Sequence, residues 1–417
     1  MFNFHLFSRR WGDYLLANQT LYNVSLLVLF CTLFEGTISF LAPLIITGAG
    51  ISPGMMGLIM STSSITGLLF DFIVCHLFRK ASFRQFYLLM FALAAIFSSL
   101  LWQSQTLVFY FLAIGIWGLY YVLYNMANFD FVGRYTDETK HSESFGFLRI
   151  FICLGYLIAP IIAGLLIDNG QIGLKPFLMA WFFLAVAFIF YLVLLANTRR
   201  LPKFKEEDER QYKVLSIFRE LNLLKKIGFK VWPVLLIFLI LNTIDSTFWT
   251  IGPLLSESLF GLSGLGSAFM VAYLIPPLIG GWIVGRFAHR FGQKRTSLWF
   301  LFAGTLLMAG FFLIKDNYLL LLADFIAAFC LSIAWPAGSG AYSDYIAEAP
   351  NIKKEIEGLA DSALNVGFLF GPILSGFAAE HFGYLTTFSL LGGISAIVTL
   401  ILIQFTPRQI VINIPRQ

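Results

Sequence analysis

The sequence predicts an all-α membrane protein, with twelve transmembrane helices in two pseudo-symmetric bundles of six. Three observations carry that prediction. Of 417 residues, 58% are hydrophobic and only 12% charged, with a mean hydropathy of +0.80. A soluble domain carries about 25% charge, and a water-facing surface could not be built from so little, so the solvent is a bilayer. Basic residues then fall almost wholly on one side of the predicted spans. Finally, the chain writes one stretch twice: Gly146–Asp168 superposes without a gap on Gly358–Glu380.

A transmembrane helix needs roughly 20 apolar residues. Twelve segments qualify: 21–46, 55–78, 86–103, 106–129, 146–167, 177–197, 231–255, 264–287, 297–314, 318–342, 359–379 and 384–405. Arg9 and Arg10 precede the first, but no short apolar core with a small-residue cleavage site follows. The first helix is therefore expected to be retained rather than removed as a signal peptide. With the N-terminus in the cytoplasm, all 28 Lys and Arg except Lys175 and Lys315 lie at the inner face. Positively charged loops resist translocation, so an even number of helices with both ends cytoplasmic is expected. The setting expected is the inner membrane of a bacterium, with the bilayer as an obligate partner and a monomer as the working unit.

The domains expected are a six-helix bundle over 1–197, a cytoplasmic linker over 198–230 and a second bundle over 231–417. The linker is the one long polar stretch; its part 214–226 has helical apolar spacing that suits a membrane surface. Cys31, Cys75, Cys153 and Cys330 all lie in apolar stretches at no metal-like spacing, and read as small buried residues. No metal site, cofactor motif or nucleic-acid patch is expected, and without a phosphate-loop motif direct ATP drive is not expected either.

The repeated stretch aligns Gly155 with Gly367, Pro160 with Pro372, Gly164 with Gly376 and Asp168 with Glu380. Small residues recur at every fourth position: Gly155, Ala159 and Ala163 in one copy, Gly367, Gly371 and Ser375 in the other. In lipid such ridges let helix backbones approach closely. Each proline is expected to bend its helix inside the ridge. A similar offset places Glu35 on Asp245 and Pro43 on Pro253. Six helices repeated in parallel, with sites at the repeat interface, is a known transporter design.

The loop after the eighth segment reads Gly285-Arg-Phe-Ala-His289-Arg290-Phe291-Gly292-Gln-Lys294-Arg295. It resembles the Gly-x-x-x-Asp-Arg-x-Gly-x-Arg/Lys-Arg signature of the major facilitator superfamily, with His289 in the acidic place. The loop after the second segment keeps Gly67-x-x-x-Asp71 and a delayed basic cluster, Arg79, Lys80 and Arg84. The Gly155–Gly164 stretch is similar to the helix-five motif of the drug/proton antiporter branches, with Ala159 and Ala163 replacing two glycines. The mid-helix-four arginine often found in those branches is absent from 109–129.

Intramembrane acids mark ion or substrate paths, because an unpaired carboxylate at that depth is costly. Glu35 lies mid-span in the first segment with Thr32 and Ser39 at helical spacing. Asp245 holds the matching place in the seventh, with Asn242, Ser246 and Trp249 on its face. The resemblance implies that helices one, four, seven and ten line a central cavity, with Glu35 and Asp245 facing each other across it. Helix four offers Tyr121, Tyr124, Asn125 and Asn128; helix ten offers Trp335, Ser339 and Tyr342. Rings and acids together suit organic cations. The acid Asp324 lies nearer an end of its segment and ranks lower. Ion pairs among Asp71, Asp130, Arg134, Arg149, Asp361 and the basic loops, Arg290 included, are expected to gate the inner mouth.

These readings lead to a secondary active transporter of a small organic solute, working by alternating access, with Glu35 and Asp245 for proton coupling or cation binding. Proton-coupled efflux is favoured and proton-coupled uptake is the alternative. A transport-inactive receptor or membrane enzyme on the same scaffold ranks below both. The five histidines sit near segment ends or in loops, no His-Glu-x-x-His occurs, and the sizeable extra soluble domain that a receptor would carry is not expected.

Overall fold

The computed structural model describes residues 19–77, 82–135, 141–167, 171–198, 217–262, 265–348 and 353–405. Every regular element among them is helical: α1 (Gln19–Gly48), α2 (Pro53–Leu77), α3 (Phe83–Gln103), α4 (Leu107–Tyr135), α5 (His141–Leu165), α6 (Leu174–Thr198), α7 (Ile217–Phe260), a broken α8 (Ala268–Leu274 and Pro276–Phe291), α9 (Gln293–Ala309), α10 (Asn317–Glu348), α11 (Lys353–Phe382) and α12 (Tyr384–Phe405). A bilayer offers the backbone no water, and a helix satisfies its own N–H and C=O groups, so apolar segments of this length resolve into helices. Eleven helices among the described residues are long and apolar enough to cross a membrane, and the broken α8 makes twelve.

Two elements differ from the sequence expectation. The segment 264–287, expected as one helix, is bent: the runs Leu265–Gly281 and Ile283–Phe291 are inclined at 61°. Ahead of that bend, inside the first run, the helical ladder is also interrupted at Ile275, where Pro276 and Pro277 stand side by side. Neither ring has an N–H to donate backwards, and each crowds the preceding turn, so the helix restarts there. The helical spacing of 214–226 belongs, from Ile217, to the same continuous helix as the seventh span. At about 1.5 Å per residue the 44 residues of α7 run for roughly 66 Å, about twice the hydrocarbon thickness. Its apolar spanning part is Trp232–Phe260.

Tight turns follow α1 and α7. Gly50 and Gly261 leave α1 and α7 at φ values of 83° and 78°, in the left-handed region that glycine enters without strain. At the start of α3, Ser82 and Gln85 form a capping box. Asp130 of α4 accepts a further bond there, from Phe83 N at 2.7 Å.

The chain divides into two compact units. One holds the described residues of Met1–Phe40 and Thr66–Arg210; the other holds those of Leu41–Ile65 and Gln211–Gln417. Within the first, a Cβ added to Gly155 of α5 would overlap the Thr32 hydroxyl of α1, and one on Gly36 would stand 2.8 Å from Ala159 Cβ. Within the second, a Cβ on Gly367 would stand 2.6 Å from Asn242 Cβ of α7, and one on Gly371 would overlap the Ser246 hydroxyl. Thr32 aligns with Asn242, Gly36 with Ser246, Gly155 with Gly367 and Ala159 with Gly371. The same two crossings are therefore built twice. At the second of them the glycine changes sides: Gly36 meets Ala159 in one unit, Ser246 meets Gly371 in the other. Pro160, Ala163 and Gly164 are buried in α5.

The glycines of α11 also serve a second face. A Cβ on Gly57 of α2 would run into the Pro372 carbonyl, and one on Gly376 would stand 3.0 Å from Gly57 Cα. Beside this seam, Glu380 Oε2 accepts bonds from Ser52 Oγ and Gly54 N, each at 3.0 Å. A carboxylate at the first N–H groups of α2 also meets the favourable end of the helix dipole. Ser64 Oγ donates to Phe368 O at 3.0 Å further along the same pair of helices. Asp168, the repeat partner of Glu380, lies outside the described residues.

Candidate functional site

Glu35 is 3% exposed, in the middle of α1. Tyr156 of α5 and Trp117 and Tyr120 of α4 are the polar side chains around it. Tyr156 reaches it because Gly155, the preceding residue, brings α5 against Thr32, one turn of α1 away. Behind Tyr120 the rings of Phe34, Phe97 and Trp117 interlock: Phe97 stacks on Trp117 at 5.9 Å, and Phe34 meets Tyr120 edge-on at 6.1 Å. Tyr124 stacks on Tyr120 at 6.2 Å. Three buried polar atoms in this group, Glu35 Oε2 and the hydroxyls of Tyr120 and Tyr124, have no hydrogen-bond partner among the described residues. Buried polar groups are nearly always paired, so such a cluster marks a place where a further donor or acceptor fits.

The second unit holds its own polar group. Tyr273, in the first part of α8, donates to Asp245 Oδ1 at 2.7 Å and lies face to face with Phe248, ring centres 3.7 Å apart. Asn242 gives its amide to Phe238 O at 2.7 Å, while its Oδ1 has no partner among the described residues. On α10, Asp324 is fully buried and neither of its oxygens has a partner among the described residues. Its charge would be felt at Tyr273.

The other residues expected at a site are distributed as follows. Asn128 accepts from Tyr87 of α3 at 2.6 Å, a buried pair inside the first unit. Tyr121 is 45% exposed and Asn125 half-buried. Thr32 and Ser39 turn their hydroxyls to carbonyls of their own helix, Val28 O and Glu35 O, and Ser246 bonds Gly367 O. Trp249, Trp335 and Ser339 are half-buried, and Tyr342 is buried against Phe238. Of the expected gate, Arg149 is exposed and lies beside Cys153, and Arg290 is exposed with its guanidinium 5.3 Å from the Phe291 ring centre. The side chains of Asp71, Arg134 and Asp361 lie outside the described residues.

Sequence reasoning missed Trp117, Tyr120, Tyr156 and Tyr273. Trp117, Tyr120 and Tyr124 are spaced i, i+3 and i+7, a helical face next to the one chosen on α4, so a signal existed. Tyr156 and Tyr273 belong to helices five and eight, which the resemblance leaves off the cavity.

No curated protein matches the chain in sequence. A family model described as the Major Facilitator Superfamily matches residues 24–316 and 268–416. Solved structures with the same fold include the nucleoside transporter NupG, 16% identical, covering 93% of this chain and 100% of that one, with a TM-score of 0.74. A bacterial homolog of the human lysosomal transporter Spinster is 13% identical, covers 93% and 95%, and has a TM-score of 0.69. A POT family transporter in complex with a thioalcohol-conjugated peptide is 15% identical, covers 94% and 96%, and also has a TM-score of 0.69.

Proposed function

The chain belongs to the Major Facilitator Superfamily, and on that premise we propose that it moves a small organic solute by alternating access, drawing on a proton gradient through Glu35 and Asp245. One observation carries this reading: a buried glutamate, ringed by Trp117, Tyr120 and Tyr156, has one oxygen with no partner among the described residues. An acid so placed takes a proton or a cationic solute group and releases it again, and ring faces beside it favour an organic cation. Asp245, at the repeat-equivalent position, has a different neighbour in Tyr273, which allows the two acids different tasks.

Export by proton antiport is the favoured direction. It is supported by the close α1–α5 crossing at Gly155 and Ala159, which preserves the spacing of the antiporter-type motif. Proton-driven uptake is the second reading; solved relatives of the same fold carry nucleosides or bind peptides. Both termini cytoplasmic, in a bacterial inner membrane, agrees with the distribution of Lys and Arg.

The test is transport in proteoliposomes under an imposed pH gradient, screening cationic and neutral solutes, for wild type, Glu35→Gln and Asp245→Asn. At least one variant is expected to lose gradient-driven movement while remaining folded and monodisperse. Wild-type rates in both variants would remove the two acids from coupling. The sign of proton movement relative to solute separates antiport from symport.

A further inference from the structure

α8 crosses a point where its own hydrogen-bond ladder is missing. Pro276 and Pro277 have no N–H, so the carbonyls of Ala272 and Tyr273 lose the donors that a helix would give them. Prolines so placed usually kink a helix. Here Ile275 keeps φ −68° and ψ −47°, and the run Leu265–Gly281 holds its course through the gap. With the ladder interrupted, that course depends on what grips the helix from either side. α2, the corresponding helix of the first repeat, runs unbroken over Pro53–Leu77, so the first repeat has no such gap there.

The grips on the two sides come from different helices. Ahead of the gap, Phe269 N donates to Ser256 Oγ of α7 at 3.1 Å, and a Cβ on Gly252 of α7 would stand 2.6 Å from Met270 Sδ. Tyr273, two residues before Ile275, lies face to face with Phe248 at 3.7 Å and donates to Asp245 Oδ1 at 2.7 Å. The rings of Phe269 and of Phe388 from α12 close around Phe248, and Asp324 of α10 is the other acid acting on Tyr273. Beyond the gap, α8 is set against α10, where a Cβ on Gly280 would overlap the Ser332 hydroxyl. The gap therefore separates a part of α8 seated on α7 from a part seated on α10. Of these grips on α7, the Tyr273 bond is nearest the gap, and it is the one made to an ionisable group.

We propose that Tyr273 is a positioning residue, which through its bond to Asp245 holds α8 on course across the gap at Ile275 and so passes the state of that acid to the helix. Hydrogen bonds to an ionised carboxylate are roughly twice as strong as those between neutral groups. When Asp245 takes a proton, or a cationic group of the solute claims its charge, the phenol bond weakens and the grip nearest the gap slackens. The part seated on α10 then turns against the part seated on α7, as a proline-interrupted helix is free to do. The Phe248 stack does not depend on the acid, so Tyr273 stays in place to re-form the bond when Asp245 unloads. The inference rests on the transporter reading for what loads Asp245; the gap and its grips stand without it.

The experiment is hydrogen–deuterium exchange, read by mass spectrometry, on the full-length protein in lipid nanodiscs. It follows residues 268–281 of α8, with α9 as the reference. Tyr273→Phe removes the hydroxyl and leaves the ring on Phe248; it is expected to speed exchange beyond the gap, at 278–281, by roughly tenfold, the loss of one hydrogen bond to a charged acceptor. Asp245→Asn, permanently neutral, should act in the same direction but less, because its amide carbonyl still accepts. The double variant should match Tyr273→Phe alone, since both changes act on one interaction. A merely weakened fold would add the two effects and speed α9 as well. Wild-type exchange in Tyr273→Phe overturns the inference, and so do additive effects. Should Asp245→Asn fail to fold, Tyr273→Phe against the α9 reference decides alone. If the exchange pattern appears while Asp245→Asn transports like wild type, Asp245 leaves the coupling scheme and the joint stands. If Asp245→Asn loses transport while Tyr273→Phe exchanges like wild type, the joint falls and coupling survives.

Discussion

Glu35 and Asp245 occupy matching places in the two repeats, yet one lies among a tryptophan and two tyrosines of α4 and α5 while the other accepts from a tyrosine of α8. Alignment of the halves against each other finds such acids because a charge in an apolar run stands out. It cannot find their partners, which come from helices whose register depends on crossings such as Thr32 against Gly155. At those crossings every atom counts. Gly155→Ala should destabilise the protein by about 1–3 kcal/mol, since the added methyl must displace the Thr32 hydroxyl. Combining it with Thr32→Ala should recover part of the loss, a coupling readable in thermal melts of the single and double variants in detergent. Asp324 carries the opposite lesson. Its place toward one end of a hydrophobic segment gave it a low rank, yet in the folded chain it is fully buried.

Among the elements, the repeated stretch was legible as a packing ridge, but not as a ridge with two faces. In α11, Gly367 and Gly371 lie against α7 while Pro372 and Gly376 lie against α2. A helix presents residues four apart on one stripe, so adding one position turns to a neighbouring stripe, and the sequence alone does not say which stripe has a partner. The break in α8 was legible in principle from Pro276-Pro277; a run of sufficient apolar length hid it. Glu380 was legible only as the counterpart of Asp168, whereas its oxygen joins Ser52 and Gly54. Removing that acceptor, as in Glu380→Ala, should cost about 0.5–2 kcal/mol, in the range of other lost helix caps. Glu380→Gln keeps a carbonyl acceptor and should lose less. Thermal stability of the two variants side by side tests whether the acceptor or the charge matters more.

For the whole molecule, composition, basic-residue placement and internal repetition were sufficient for the fold class, because the bilayer leaves so few alternatives. They did not foretell that Leu41–Ile65, from the first repeat, would belong to the compact unit built from α7 to α12. That membership has a consequence for how the protein is made. Ser52 and Glu380 are separated by 328 positions, so the start of α2 leaves the ribosome long before α11 exists. Until then the backbone surface at Gly54 and Gly57 has no helix to cover it, and the nascent α1–α2 hairpin must wait in the membrane with that face open. Contacts of such sequence separation form late and slow the folding of the chain that needs them. The near-isosteric Ser64→Cys, at the point where α2 meets Phe368 O of α11, should therefore react readily with a thiol reagent in a chain truncated before α11. In the full-length protein the same cysteine should be shielded once synthesis is complete.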